Sequence, residues 1–324
     1  MDLITVHEDH FCLCSTSPKK SCEDIWSIAT ADKLVRHYPE VFVKDLGTLP
    51  GTVHLKVDEN AEPSITPSRQ ILTALREKFK AQLDHLENLG ELTKVNEPTA
   101  WVSTVVIATK KSGALRICID PRPLNQALKR DKHQLLILDD LIPELARAKN
   151  FSTIDLTAGY WHCVLDNESS LLTTFATPFR RYWWKRLPFG LSASSEIFQK
   201  WVSQALDGLE GILNITDEIL LYGVGDTKDE ARHDHDLKLE ALLPRCRECG
   251  IAPKKNKLTL RITEVPFMGH LFTKHSHKID PNEAKADVEG VQRLNGFVNY
   301  LSKFLPRLAD HMEPIRHLTW QDRV

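Results

Sequence analysis

ILNITDEILLYG, residues 212–223, sets two acids between two apolar runs. Ile212, Leu213 and Ile215 precede them; Ile219, Leu220, Leu221 and Tyr222 follow; Asp217 and Glu218 fall at the centre. The pattern predicts a β-hairpin whose tight bend carries both carboxylates at its tip, where burial does not penalise them. A polar turn with no further role also fits. A second acid changes that balance. FSTIDLTAGYW (151–161) ends an apolar strand on Asp155, just before Thr157-Ala158-Gly159. If that strand lies beside the hairpin, three carboxylates converge, and they repel unless hard cations neutralise them. Two such ions, about 3.5–4 Å apart, would suit phosphoryl transfer.

Working outward, strands and helices follow one another along the chain. VHLKVD (53–58) alternates like a strand, and a Pro-marked segment from Pro63 to Pro67 runs extended. From Ser68, Ile71, Leu75, Phe79, Leu83, Leu86 and Leu89 fall at helical spacing, and Gly90 ends the run. WVSTVVIATKKSGALRICID (101–120) reads as a hairpin with a basic tip. A helix is expected over about 139–148, short strands near 160–165, 173–177 and 182–187, and a helix over about 194–208. A polar helix over 228–249 takes its apolar side from Leu237, Leu239, Leu242 and Leu243. KLTLRI (257–262) and VPFMGHLF (265–272) read as strands, and the last 35 residues as helix.

The chain has 324 residues, 42% hydrophobic and 27% charged, which is ordinary for a globular protein. Its net charge of −2 neither demands nor excludes nucleic acid, because phosphate affinity comes from local Lys and Arg clusters. Such clusters occur at Arg122, Lys129, Arg130 and Lys132, at Arg180, Arg181, Lys185 and Arg186, and at Lys254, Lys255 and Lys257. Seven scattered cysteines, an odd number, suit reduced thiols and hence the cytoplasm or nucleus. The start lacks a basic-then-apolar leader, and no run approaches the ~18–20 apolar residues of a membrane span, so neither secretion nor membrane insertion is expected.

Asp155 with GYW behind it, TTFATPF (173–179), RLPFGL (186–191), TDEILLYG (216–223), FMGHL (267–271) and GFVNYLSKFLP (296–306) stand in an order that resembles the reverse transcriptase of gypsy-like LTR retrotransposons. The likeness runs from about Leu49 to Thr319. It implies an α+β fold, a right-hand polymerase with fingers, palm and a truncated thumb. Residues 1–45 would be a divergent leader, 46–275 fingers and palm, and 276–324 the truncated thumb or connection. It also implies RNA-directed DNA synthesis from dNTPs on a primed RNA or DNA template, with Mg²⁺ or Mn²⁺. By the same resemblance Asp155, Asp217 and Glu218 are the catalytic metal ligands. Lys110 or Lys111, with Arg116, would hold the triphosphate. Tyr160 would check the sugar 2′ position, Phe189 would pack near the nucleotide, and Met268-Gly269-His270 would support the primer end.

Several positions depart from the family's pattern. Glu218 stands where the family has aspartate, Arg180 replaces a glycine, Leu294-Asn295 replaces an aromatic–apolar pair, and the connector between Lys285 and Val288 is short. Within these 324 residues no ribonuclease H or integrase segment is expected. A partial or decaying retroelement copy is therefore expected, and its alternative function is a catalytically dead module that still binds nucleic acid. Cys246 and Cys249 have CxxC spacing without a second ligand pair, and His233 to Asp236 read as a solvated helix face. No G-x-S-x-G turn for a Ser-His-Asp hydrolase is present.

Overall fold

The structure, a computed structural model, describes residues 6–7, 10–11, 30–42, 46–109, 113–130, 143, 145, 147–267, 270–273 and 277–279. The chain divides into two compact units, Met1–Ile137 with Lys149–Ile262, and Leu138–Ala148 with Thr263–Val324.

In chain order the elements begin with β1 (Val6–His7), β2 (His10–Phe11), α1 (Ala31–His37) and α2 (Thr73–Asn88). Next come β3 (Leu92–Lys94), β4 (Ser103–Thr109), β5 (Leu115–Asp120), α3 (Arg122–Ala127) and β6 (Ala148–Asp155). A 3-10 turn (Gly159–His162), α4 (Asn167–Leu172), β7 (Phe175–Ala176) and β8 (Arg181–Trp184) follow. Then come α5 (Ser194–Ala205), β9 (Ile212–Ile215), β10 (Glu218–Val224), α6 (Lys228–Glu248) and β11 (Thr259–Ile262). The second unit holds β12 (Glu264–Phe267), β13 (His270–Thr273) and β14 (His277–Ile279) as an antiparallel sheet, with Val265, Phe267 and Phe272 buried.

Two larger sheets organise the first unit. One has strand order β3-β8-β7-β4-β5, the other β11-β6-β10-β9. In the second, β6 sits between two strands that come later in the chain. Its run Phe151, Ser152 and Ile154 is fully buried, as expected for a strand covered on both faces. The β9–β10 register pairs Glu218 with Ile215 and Leu221 with Ile212, so the hairpin loop is Thr216-Asp217. Thr216 adopts a positive φ of 49°, the left-handed geometry that tight hairpin loops require. Glu218 is thus the first residue of the returning strand rather than part of the bend.

A single core joins these layers, with Phe79, Phe175, Tyr182, Trp184, Phe198 and Ile219 all fully buried. The wholly apolar ones, Phe79, Phe175, Phe198 and Ile219, each contribute roughly 1.5–3 kcal/mol of burial free energy. Tyr182 and Trp184 therefore serve packing. Helix α6 is begun by a capping box, in which Thr227 accepts from the Glu230 N–H while the Glu230 side chain reaches back to the cap, worth about 1 kcal/mol.

Several sequence expectations shift. The helix expected from Ser68 starts at Thr73, because the preceding segment stays extended and bridges Ile65 to Val102; Leu89 ends up 57% exposed. The 53–58 strand makes only isolated bridges, Val53 to Leu165 and Val57 to Leu128, yet its alternation is real: Val53 and Leu55 are buried. Residues 159–162 form a 3-10 turn instead of a strand, since Ala158 turns the chain with φ 51°. VPFMGHLF splits into β12 and β13. On α6, Leu237 faces solvent while His235 and Asp236 are buried, the reverse of the expected arrangement. They are compensated there: His235 Nε2 lies 2.8 Å from Ser152 Oγ, His235 Nδ1 lies 3.0 Å from Asp236 Oδ1, and Arg261 Nε donates to the same oxygen at 2.7 Å. This Ser-His-Asp chain is sealed from water and ties β6 to α6. Cys246 is buried with its thiol pushed up to about 12 by desolvation, and among the described residues no group of three His, Cys, Asp or Glu is gathered to hold a metal ion. The expected helix at 139–148 lies largely outside the described residues, though Ala148 already begins β6. Most of the 276–324 thumb region and all of its expected helix lie outside them as well. Among the described residues no helix is long and apolar enough to cross a membrane.

Candidate active site

Asp155 closes β6, and β10 is its hydrogen-bonded neighbour in the sheet. The residue after it, Leu156, donates its N–H to the Asp217 carbonyl at 2.7 Å. Two acids distant in sequence are thereby locked side by side through backbone. Burial raises the Glu218 carboxyl above its ordinary value, and repulsion from Asp155 and then from Asp217 raises it further, against an opposing pull from Lys257. The three carboxylates thus share one electrostatic neighbourhood.

Asp155 has two cationic partners in the structure. Lys254 Nζ pairs with Oδ1, and Lys257 Nζ pairs with Oδ2 at 2.6 Å. The segment that carries them is stitched alongside β6: Thr157 N–H donates to the Ala252 carbonyl at 2.9 Å, and Lys254 N–H donates to the Asp155 carbonyl at 2.7 Å. The basic run was visible in the sequence; its partner was not. As donors the acids suit a hard divalent cation, offering only carboxylate oxygens and a surplus of negative charge. Asp155 would have to exchange its lysines for such an ion.

Beside the acids lies the 3-10 turn. A Cβ on Gly159 would stand 3.1 Å from Asp217 Cβ and 3.2 Å from the Phe198 ring, so only glycine fits without displacement. Tyr160 follows; its hydroxyl lies 2.9 Å from Ser195 Oγ, and its ring packs 4.8 Å from Phe189 and 5.6 Å from Phe198. Arg116, exposed on β5, sets its guanidinium 4.8 Å from the Phe189 centroid, within cation–π range. A continuous surface therefore runs from Asp217 through Tyr160 and Phe189 to Arg116. Phe189 is fixed because Ile119 N–H donates to its carbonyl at 2.9 Å, while Asn125 donates to the Gly190 carbonyl at 3.0 Å and accepts from Ser192 N–H at 2.8 Å. Gly190 has φ +112°, and a Cβ there would fall 1.9 Å from the Ile119 carbonyl oxygen.

Sequence reasoning missed two residues that shape this site. Gln199, 2% exposed on α5, donates through Nε2 to the Asn214 carbonyl at 2.6 Å and accepts the Thr216 N–H on Oε1 at 2.7 Å. One amide therefore holds both sides of the hairpin loop that carries Asp217. His162, fully buried under the turn, pairs Nδ1 with the Gly159 carbonyl at 2.9 Å and Nε2 with Ala252 N–H at 3.1 Å. That pattern demands a neutral ring with its proton on Nδ1. Burial, helped by nearby Arg186 and Lys254 and opposed by the Gly159 hydrogen bond, lowers its pKa from 6.5 to about 4. A histidine with a depressed folded-state pKa binds more protons when unfolded. Its contribution, about 3 kcal/mol, is intact above pH 6.5 and is lost as pH falls toward 4. Urea melts between pH 7 and 4 should record that loss, and His162→Gln should flatten it.

Lys110, Lys111, Met268 and Gly269 lie outside the described residues. His270 begins β13 in the second unit.

A family profile described as reverse transcriptase (RNA-dependent DNA polymerase) matches residues 108–272. The enzymatic polyprotein of cauliflower mosaic virus (strain Strasbourg) is 27% identical over 253 residues, 74% of this chain and 36% of that protein. The retrovirus-related Pol polyprotein from transposon 412 of Drosophila melanogaster is 30% identical over 279 residues, 80% of this chain and 21% of that one. The chain thus spans little more than a third of such relatives at most. Among solved structures, the foamy viral protease-reverse transcriptase in complex with RNA/DNA hybrid superimposes with a TM-score of 0.73 at 21% identity, covering 93% of this chain and 42% of that one. The dRH form of that protein in complex with double-stranded DNA gives 0.69 at 22% identity, covering 93% and 55%. The fold is that of a right-hand polymerase.

Proposed function

From the premise that this chain belongs to the reverse transcriptase (RNA-dependent DNA polymerase) family, we propose that it carries out RNA-directed DNA synthesis, joining dNTPs to a primer 3′-hydroxyl on an RNA or DNA template, and that it derives from a gypsy-like LTR retrotransposon. The observation that carries this reading is the shared electrostatic neighbourhood of Asp155, Asp217 and Glu218, set by the β6–β10 pairing, beside the Tyr160–Phe189–Arg116 surface. In this structure Asp155 is engaged by Lys254 and Lys257, and the three carboxylates are not drawn together around one cation position. Asp155, Asp217 and Glu218 would hold Mg²⁺ or Mn²⁺. Bound there, a divalent cation lowers the pKa of an attacking hydroxyl and offsets charge developing on phosphate. Arg116, with Lys110 or Lys111, would grip the triphosphate: Arg forks onto phosphate oxygens and Lys adds a point charge. Tyr160, braced by Phe189 and Ser195, would pack beneath the sugar and exclude a 2′-hydroxyl. Met268, Gly269 and His270 would steady the primer end. Residues 46–275 would form fingers and palm, and 276–324 a short thumb or connection behind a 1–45 leader.

Glu218 favours a second reading, a nucleic-acid-binding module with little chemistry. Its side chain is one methylene longer than the aspartate of the resembled family, and a misplacement of about 1 Å near a reacting centre costs on the order of 100-fold. Primer extension on an RNA template with Mg²⁺ or Mn²⁺ separates the two. Synthesis by the native chain, abolished in Asp155→Ala, supports the polymerase; duplex binding without synthesis under either ion supports the module. Glu218→Asp is expected to raise the extension rate at least tenfold. An unchanged rate would show that side-chain length is not the handicap.

A further inference from the structure

Helix α5 has a second working face. Phe198 and Gln199 turn toward the candidate active site, while Glu196, Lys200 and Trp201 line a separate cavity of about 110 Å³ together with His54, Lys56 and Lys129. Its walls are assembled by a short antiparallel pairing. Val57 bridges Leu128, Asp58 N–H donates to the Ala127 carbonyl at 2.9 Å, and Lys129 N–H donates to the Lys56 carbonyl at 2.8 Å. That register sets Lys56 directly opposite Lys129, with both beside one opening. Like charges directly opposite on paired strands are destabilising. Lys200 adds a third cation from the helix. The acid in the lining, Glu196, is already matched by Arg130, and His54 leans on Asp166 at 2.7 Å; Asp58, near Lys129, is fully exposed outside the cavity. Among the described residues that line the cavity, three lysines stand with one acid, and Lys56 and Lys129 are held opposite one another by backbone. The cavity is well below the ~300–1,000 Å³ of pockets that enclose a drug-sized ligand, and its scale suits one tetrahedral oxyanion.

We infer that the cleft between residues 52–56, Lys129 and helix α5 seats a phosphoryl group, supplied by the backbone of a single-stranded nucleic acid, with Lys56, Lys129 and Lys200 as its cationic partners and Trp201 as an apolar wall. The source of the phosphate rests on the polymerase reading above; the anion site itself does not. The test uses the full chain and its Lys56→Gln/Lys129→Gln/Lys200→Gln variant. Binding is measured across a salt series on a primer–template with a long single-stranded extension and on a blunt duplex. One seated phosphate, at ~0.7 per phosphate neutralised on a single strand, predicts that the log–log salt slope falls by about 0.7 on the extended substrate and is unchanged on the blunt one. In parallel, inorganic phosphate should raise the melting temperature of the native chain and not of the variant. Loss of the slope assigns the site to a strand. Loss of phosphate stabilisation alone keeps the phosphoryl site and assigns it to a free ligand. A variant that matches the native chain in both overturns the proposal. If the triple variant melts early without phosphate, Lys129→Glu replaces it, with the same slope loss expected. A native chain that fails to extend any primer yet keeps the salt-slope difference would sink the polymerase reading and leave the cleft standing.

Discussion

Asp217→Asn is expected to cut primer extension more than about 100-fold while the fold persists. Even outer partners of metal ligands cost 10–100-fold when removed, and Asp217 would be a ligand itself. Asparagine keeps the shape of the side chain, and the hydrogen bond from Leu156 N–H goes to the Asp217 carbonyl, which the substitution leaves in place. Removing the Asp217 charge also removes one of the repulsions that raise Glu218. The melting temperature of the cation-free protein should therefore stay within a few degrees of the native value. Single-turnover extension alongside a thermal melt checks both halves. Extension surviving within tenfold would remove Asp217 from the chemistry.

Gln199→Leu is expected to be nearly as damaging by another route. Leucine fits the volume but leaves the Asn214 carbonyl and the Thr216 N–H without their shared partner in a buried setting. An orphaned buried group costs ~1–3 kcal/mol, so a destabilisation of about 2–6 kcal/mol should appear in denaturant midpoints. Because the amide also fixes the loop bearing Asp217, extension should fall roughly 100-fold in kcat with a smaller change in KM for dNTP. Gln199→Glu keeps an acceptor for the Thr216 N–H but sets its second oxygen against the Asn214 carbonyl, so it should restore neither loss at neutral pH. A merely structural glutamine would lower stability without splitting kcat from KM.

The core of this arrangement was legible because it obeys short-range rules. The 212–223 hairpin announces itself by two apolar arms around a polar pair, and the apolar run before Asp155 announces a buried strand. The 101–120 hairpin and the capped helix at 228 are equally local. What stayed hidden depends on distant partners. Nothing in GYWH distinguishes a 3-10 turn from a strand until Ala158 is seen at positive φ. Gln199 reads as a surface residue of an amphipathic helix, since glutamine is seldom buried; its burial follows from the β9–β10 loop above it. Lys254 and Lys257 were visible as a basic run, but their pairing with Asp155 is set by the Leu156–Pro253 bridge. His235 and Asp236 looked solvated because the Ser152 and Arg261 groups that neutralise them come from other strands.

The order of strands also governs when a nascent chain can assemble its candidate catalytic centre. β6 is held between β10 and β11, both translated after it. While the ribosome is still short of residue 254, the strand that ends in Asp155 has one edge open, and Asp155 lacks the lysines that pair with it. Long-range pairing of this kind is slow, and an unpaired edge invites other chains. Synthesis of this protein therefore passes through an interval in which the strand bearing Asp155 carries an unpaired edge, and a holdase that covers that edge should raise the soluble yield.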